Sequence, residues 1–142
     1  MIALDTNLLV YAFLPGVREH ADARRAIEKA SDNPNGWGVA LSSIAEFWMV
    51  VTHPAAVGGP SPVGAARDFL DALLTEGPGL LWMPRETFWT RLLQLAADLD
   101  VTGPRIFDLQ IALTAFDNGA TEIWTHDDGF VSFPGLRVHD PI

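Results

Sequence analysis

An α/β fold, with a central, mostly parallel sheet of four to five strands flanked by helices, is what this chain predicts, and three observations carry that expectation. Short, continuously apolar runs alternate with longer segments whose apolar residues recur at helical spacing, the order expected of strands interleaved with helices. The short runs lack an apolar/polar alternation, as in strands buried on both faces of a parallel sheet. Glycine and proline mark most of the changes of period, as at Pro15-Gly16, Gly77-Pro78-Gly79 and Gly103-Pro104. With 142 residues, 49% of them hydrophobic, the chain matches a single domain over 1–142 with a sizeable core.

Ile2-Ala3-Leu4 is the first strand, and Asp5-Thr6-Asn7 follows at its carboxyl end. Ligands of open α/β sheets gather beyond the carboxyl ends of the strands, which puts Asp5 in a candidate site. The same three residues also suit a turn that N-caps the next helix. Leu8 to Leu14 is apolar enough for a buried helical turn or two. Glu19 to Ser31 is amphipathic, with Ala23, Ala26, Ile27 and Ala30 on one face; Arg18, Arg24 and Arg25 are expected on a solvated one. Gly38 to Leu41 is the second strand, and a helix follows from Ser42 with Ile44, Phe47, Trp48 and Val51 at core spacing. Ser43 and Glu46 satisfy the S-x-x-E capping box, which accounts for Glu46 without any chemistry. Thr52-His53-Pro54 ends that helix, with His53 in its terminal turn.

Beyond the loop Gly58 to Pro62, the next helix carries Val63, Ala66, Phe69, Leu70, Leu73 and Leu74, and Leu80 to Met83 is the third strand. Pro84 precedes a long helix that runs through Leu99, with Phe88, Trp89, Leu92, Leu93, Ala96 and Leu99 on its buried side. After a loop from Val101 to Arg105, the helix Ile106 to Phe116 is apolar on nearly all sides, so it belongs in the middle of the molecule. Asp108 in its first turn complements the helix dipole, yet a charge at the head of so apolar a helix requires a cationic partner. Glu122 to Thr125 is the fourth strand, His126-Asp127-Asp128-Gly129 the loop at its carboxyl end, and a last short strand lies near Leu136-Arg137-Val138.

Composition narrows the chemistry. Without cysteine there is no disulfide and no thiolate-held zinc or iron-sulfur centre, so any metal would be held by oxygen or imidazole. A net charge of -9 and a pI near 4.6 exclude a broad basic surface for nucleic acid. No apolar stretch reaches membrane-spanning length, and the first strand begins at Met1 with no basic leader before it, so a cytoplasmic protein is expected.

Asp5 after strand one, Glu46 in the first helical turn after strand two, Asp108 at the head of the central helix and Asp127 after strand four fall on one rim of the expected sheet. Two carboxylates about 4 Å apart repel by roughly 4 kcal/mol at an effective dielectric near 20. Four in one cleft therefore demand a bound cation or raised pKa values. A hard, all-oxygen ligand set selects Mg²⁺ or Mn²⁺, and such an ion activates water and orients a phosphodiester. It also supplies the positive charge with which so acidic a protein accepts RNA or DNA.

Leu4-Asp5-Thr6-Asn7, Ser43-Ile44-Ala45-Glu46-Phe47, Phe107-Asp108-Leu109-Gln110-Ile111-Ala112 and Thr125-His126-Asp127 together resemble the four acidic motifs of PIN-domain nucleases, spread over almost the whole chain. The resemblance is nearest to VapC-type toxins of toxin-antitoxin pairs. Val50 to Pro54 and Phe133 to Arg137 also resemble a mycobacterial subgroup. It implies a PIN-like fold, Mg²⁺- or Mn²⁺-dependent cleavage of RNA, a homodimer, and inhibition by a small cognate antitoxin. It assigns Asp5, Glu46, Asp108 and Asp127 as catalytic, metal-holding acids, with Thr6 and Asn7 in support. Asp128, adjoining Asp127, is a possible additional acid.

Other readings are weaker. A haloacid-dehalogenase-type phosphatase wants a second Asp where Asn7 stands and a later Lys, whereas the one lysine is Lys29 in an early helix; a receiver domain lacks the same late Lys. Metal-free acid-base cleavage would have to use His53 and His126, whose spacing does not set them about one phosphate. The alternative from another class is a PIN-like module that binds RNA or protein without cutting.

Overall fold

Five short strands, β1 (Ile2–Leu4), β2 (Trp37–Ala40), β3 (Leu80–Trp82), β4 (Glu122–Trp124) and β5 (Arg137–His139), form the sheet in the computed structural model, which describes residues 1–142. They lie in the order β3-β2-β1-β4-β5, and every pairing is parallel. The register sets Ile2 between Trp37 and Glu122 in the middle of the sheet. Six helices connect the strands: α1 (Thr6–Phe13), α2 (His20–Ser31), α3 (Leu41–Thr52), α4 (Val63–Leu74), α5 (Phe88–Asp98) and α6 (Arg105–Asp117). None is long and apolar enough to cross a membrane.

Side chains of a strand alternate between faces, and here the alternation builds two cores. Ile2, Leu4, Trp37 and Val39 join the buried residues of α1, α2, α3 and α4 on one face. Phe13, Phe47 and Phe69 close that layer, with ring centroids 5.3–5.5 Å apart. Ala3, Ala40 and Ile123 face the other way, toward Ile111, Ala112 and Ala115 of α6. As expected, α6 is buried along its middle, from Leu109 and Ile111 to Ala115. The row Ala3, Gly38 and Ala40 is small, and Trp82 occupies the room this leaves.

Gly38 makes that packing testable. A Cβ there would lie 2.6–2.7 Å from Trp82 ring carbons and from the Leu80 carbonyl oxygen. Neither can yield, since one is core and the other is the neighbouring strand. Gly38→Ala is expected to destabilise the fold by about 2–4 kcal/mol, read as a lower urea midpoint.

The structure corrects several expectations. The first helix begins at Thr6, so the small polar residues after Asp5 are helical. Leu41 opens α3 instead of ending β2. Trp48 is 38% exposed although Phe47 and Val51 on the same helix are buried. The apolar stripe of α5 is wider than the contact it makes: Phe88 and Ala96 are buried, while Trp89, Leu93 and Leu99 face solvent. A helix packed at an edge against one neighbour, here α6, covers only part of such a stripe. The strand β3 is likewise at the sheet edge, with Leu80 and Leu81 exposed.

Candidate active site

Strand order reverses direction at β1: β2 and β3 extend to one side and β4 and β5 to the other. The crevice beyond the carboxyl ends of β1 and β4 is thus the switch point where ligands of such sheets bind. A cleft of about 290 Å³ opens there, and Asp5, Glu46, Asp108 and Asp127 all line it, together with Thr6, Asn7 and Tyr11. Asp128 is exposed and outside the cleft.

Asp5 is both a cap and a site residue. It is the N-cap of α1, in extended backbone, and its Oδ1 accepts from the Thr6 backbone N–H at 2.7 Å. Its Oδ2 accepts from Asn7 Nδ2 at 2.9 Å and from the Thr125 hydroxyl at 2.7 Å. Asn7 Nδ2 also reaches Thr125 Oγ1 at 2.8 Å, so the ends of β1 and β4 are joined through side chains. Burial, at 7% exposure, pushes the Asp5 carboxyl up to about 6. The Thr125 and Thr6 hydrogen bonds oppose that rise, and the charges of Glu46 and Asp108 add to it.

Glu46 is not half of a capping box. Helix α3 begins at Leu41, behind an Ala40 cap that makes no side-chain hydrogen bond, so Ser43 lies inside the helix. Its Oγ is buried without a partner. Glu46 instead accepts from the Thr6 hydroxyl at 2.6 Å, forty residues away. Thr6 thereby positions two acids, one through its backbone and one through its side chain.

The other two acids share a cation. Arg105, the first residue of α6, donates from Nη1 to Asp108 Oδ2 at 3.0 Å and to Asp127 Oδ2 at 2.6 Å. Backbone donors complete their settings, Val131 N–H to Asp108 Oδ2 and Gly129 N–H to Asp127 Oδ1. The guanidinium holds the Asp127 carboxyl below its ordinary range, and the two carboxylates keep Arg105 protonated. Repulsion among the four acids is therefore relieved in both available ways, by a raised pKa at Asp5 and by a counter-cation at Asp108 and Asp127. No three of the site's acids converge at ligand distance with the side chains so held.

Thr125, Arg105 and Tyr11 are the site residues that sequence reasoning did not single out. The need of Asp108 for a cationic partner was readable, but not which arginine meets it. The remaining cations lie elsewhere. Lys29 sits 5.6 Å from the Trp124 ring centroid, and Arg25 pairs with Asp22 on the solvated face of α2. Neither His53, whose Nδ1 accepts from Ala55 N–H, nor His126, which pairs with Asp140, lines the cleft.

The oxygen-only donor set suits a hard divalent cation. Asp5 and Glu46 on one side and Asp108 and Asp127 on the other are the residues that would hold it.

Comparison with known proteins agrees with this architecture. The sequence profile of the PIN domain matches residues 2–136. Ribonuclease VapC43 of Mycobacterium tuberculosis is 35% identical over 142 residues, covering 100% of this chain and 96% of that protein. Among solved structures, Mycobacterium tuberculosis VapC20, described as a sarcin-ricin loop cleaving toxin, superposes with a TM-score of 0.69 at 14% identity, covering 94% of this chain and 98% of the other. A chain of VapBC2 from Rickettsia felis, solved bound to a DNA fragment from its promoter, gives 0.70 at 20% identity and covers 99% and 98%. At such identities the structural likeness speaks for the fold.

Proposed function

Because the chain belongs to the PIN domain family, we propose that it is a Mg²⁺- or Mn²⁺-dependent endoribonuclease, a hydrolase of RNA phosphodiester bonds that acts as the toxin of a toxin-antitoxin pair. The observation that carries this reading is the convergence of Asp5, Glu46, Asp108 and Asp127, from four separate parts of the chain, on one cleft at the sheet's switch point.

A bound divalent ion would supply Lewis acidity and a water nucleophile near neutral pH. The protein's part is to hold the acids. Thr6, Asn7 and Thr125 fix both oxygens of Asp5, and the Thr6 hydroxyl orients Glu46. Burial excludes bulk water from Asp5 and makes its charge costly until a cation balances it.

The reading includes a cytoplasmic site of action, a homodimer and a small cognate antitoxin as partner. A groove of about 490 Å³ beside Glu46, lined by Leu41, Met49, Phe107 and Ile111, offers apolar surface for such contacts. A short open reading frame immediately upstream, whose product relieves growth arrest on co-expression, is the expected signature of the pair.

The decisive experiment incubates the purified protein with RNA in Mg²⁺ or Mn²⁺ and in EDTA. Cleavage is expected with either metal, lost in EDTA and regained on adding metal back. Undiminished cleavage in EDTA would overturn the metal dependence. Binding without cleavage under every metal condition would favour the non-cutting module.

A further inference from the structure

Arg105 is set apart from the other paired arginines. Arg67, Arg91 and Arg137 meet carboxylates outside the cleft, whereas one nitrogen of Arg105 joins two of the cleft's four acids. Its side chain is 44% exposed, so the two carboxylates, more than burial, hold it there. Gly129 makes the room. A Cβ at that position would press chiefly on Arg105 Nη2, and less closely on Arg105 Cζ and Asp127 Oδ1, and the Gly129 backbone has no left-handed φ that would itself require glycine. No basic residue is among those that line the cleft, although an RNA backbone must enter it.

We propose that Arg105 is a resident counter-cation that exchanges partners: it holds Asp108 and Asp127 until a divalent ion takes those carboxylates, and the released guanidinium then binds the RNA phosphate. The inference rests on the metal-dependent nuclease reading. A divalent charge among the four acids satisfies them better than one guanidinium, and it repels that guanidinium. Arg105 is anchored at the head of α6, so release leaves it at the rim of the cleft. A planar guanidinium matches phosphate through paired hydrogen bonds, and at the rim its partner becomes the incoming substrate. The exchange also accounts for the absence of a ready three-carboxylate cage, since two of the acids are engaged elsewhere.

Mn²⁺ affinity, measured by calorimetry on the intact protein, tests the exchange. Arg105→Gln is expected to bind Mn²⁺ about tenfold more tightly, the equivalent of about 1.4 kcal/mol. Gly129→Ala, which crowds the guanidinium while keeping its charge, should tighten binding in the same direction. Arg91→Gln removes the same charge from the Asp117 pair outside the cleft and should leave the affinity unchanged. In the parent, the Arg105 Nε–H resonance should shift on Mg²⁺ titration, a readout that depends on no variant's folding. Arg105→Gln should also raise the KM for RNA about tenfold with a smaller change in kcat, at saturating metal.

A parent that binds no Mn²⁺ sinks the nuclease reading and the exchange together. A parent that binds Mn²⁺, with unchanged affinity in both cleft variants and a static Arg105 resonance, overturns the exchange alone. Tighter metal with an unaltered KM overturns the phosphate half.

Discussion

Asp108→Asn is expected to lower RNA cleavage by at least about 10³-fold while the protein stays folded. The substitution is nearly isosteric and removes one formal charge. Its amide oxygen can still accept from the Val131 N–H, and Arg105 keeps Asp127 as a partner. The loss therefore falls on the ability of the head of α6 to hold a cation. A change of that size is about 4 kcal/mol in the barrier, more than a displaced side chain on the surface would produce. Asp128→Asn removes the same charge one residue beyond Asp127, outside the cleft, and should change the rate less than about twofold. Single-turnover cleavage rates, with circular dichroism to verify folding, check both. An Asp108→Asn variant within tenfold of the parent would remove Asp108 from the machinery.

The strands, and Asp5, Asp108 and Asp127, were legible because each lies at or beside a change of the hydrophobic period. Asp5 follows Ile2-Ala3-Leu4 directly, and Asp127 follows Glu122 to Thr125 at the same edge of the sheet. A parallel sheet delivers successive strand ends to one rim, so order along the chain was enough to predict their meeting. Partnerships across that rim were not legible. The S-x-x-E pattern at Ser43 and Glu46 is a genuine capping signal, and it loses because α3 starts earlier, with Ser43 already in its interior. Thr6 then takes Glu46, a pairing that only the adjacency of β1 and β2 creates. The position of Asp108 at the head of an apolar helix pointed to a cation, yet eight arginines were available and the choice depends on where α6 begins. The outward turn of Trp89 and Leu93 escaped for a related reason: periodicity shows that a helix has an apolar side, not how much of it a neighbour covers.

Asp5→Asn is expected to abolish cleavage and yet to stabilise the metal-free protein at neutral pH. A carboxyl whose folded pKa lies above its unfolded one stays protonated in the folded state while the unfolded chain ionises. Stability is therefore lost as pH rises through the interval from 3.8 to about 6, and the penalty is constant above it. That interval corresponds to about 3 kcal/mol for this buried group. Asparagine cannot ionise and escapes the penalty. It keeps one oxygen for the Thr6 N–H, and the Thr125 hydroxyl can turn to accept from the new amide in place of Asn7, whose displaced side chain costs about 1 kcal/mol. The variant should thus be less stable than the parent by about 1 kcal/mol below pH 4, and more stable by about 1–2 kcal/mol at pH 7. Urea unfolding in EDTA across pH 3.5–7.5 measures the crossing, and a difference that does not vary with pH would show that burial does not raise Asp5. On the metal-dependent reading, saturating Mg²⁺ should then reverse the order at pH 7, because an ion that binds only the folded parent stabilises it by mass action, while the variant lacks the most deeply buried of the proposed ligands.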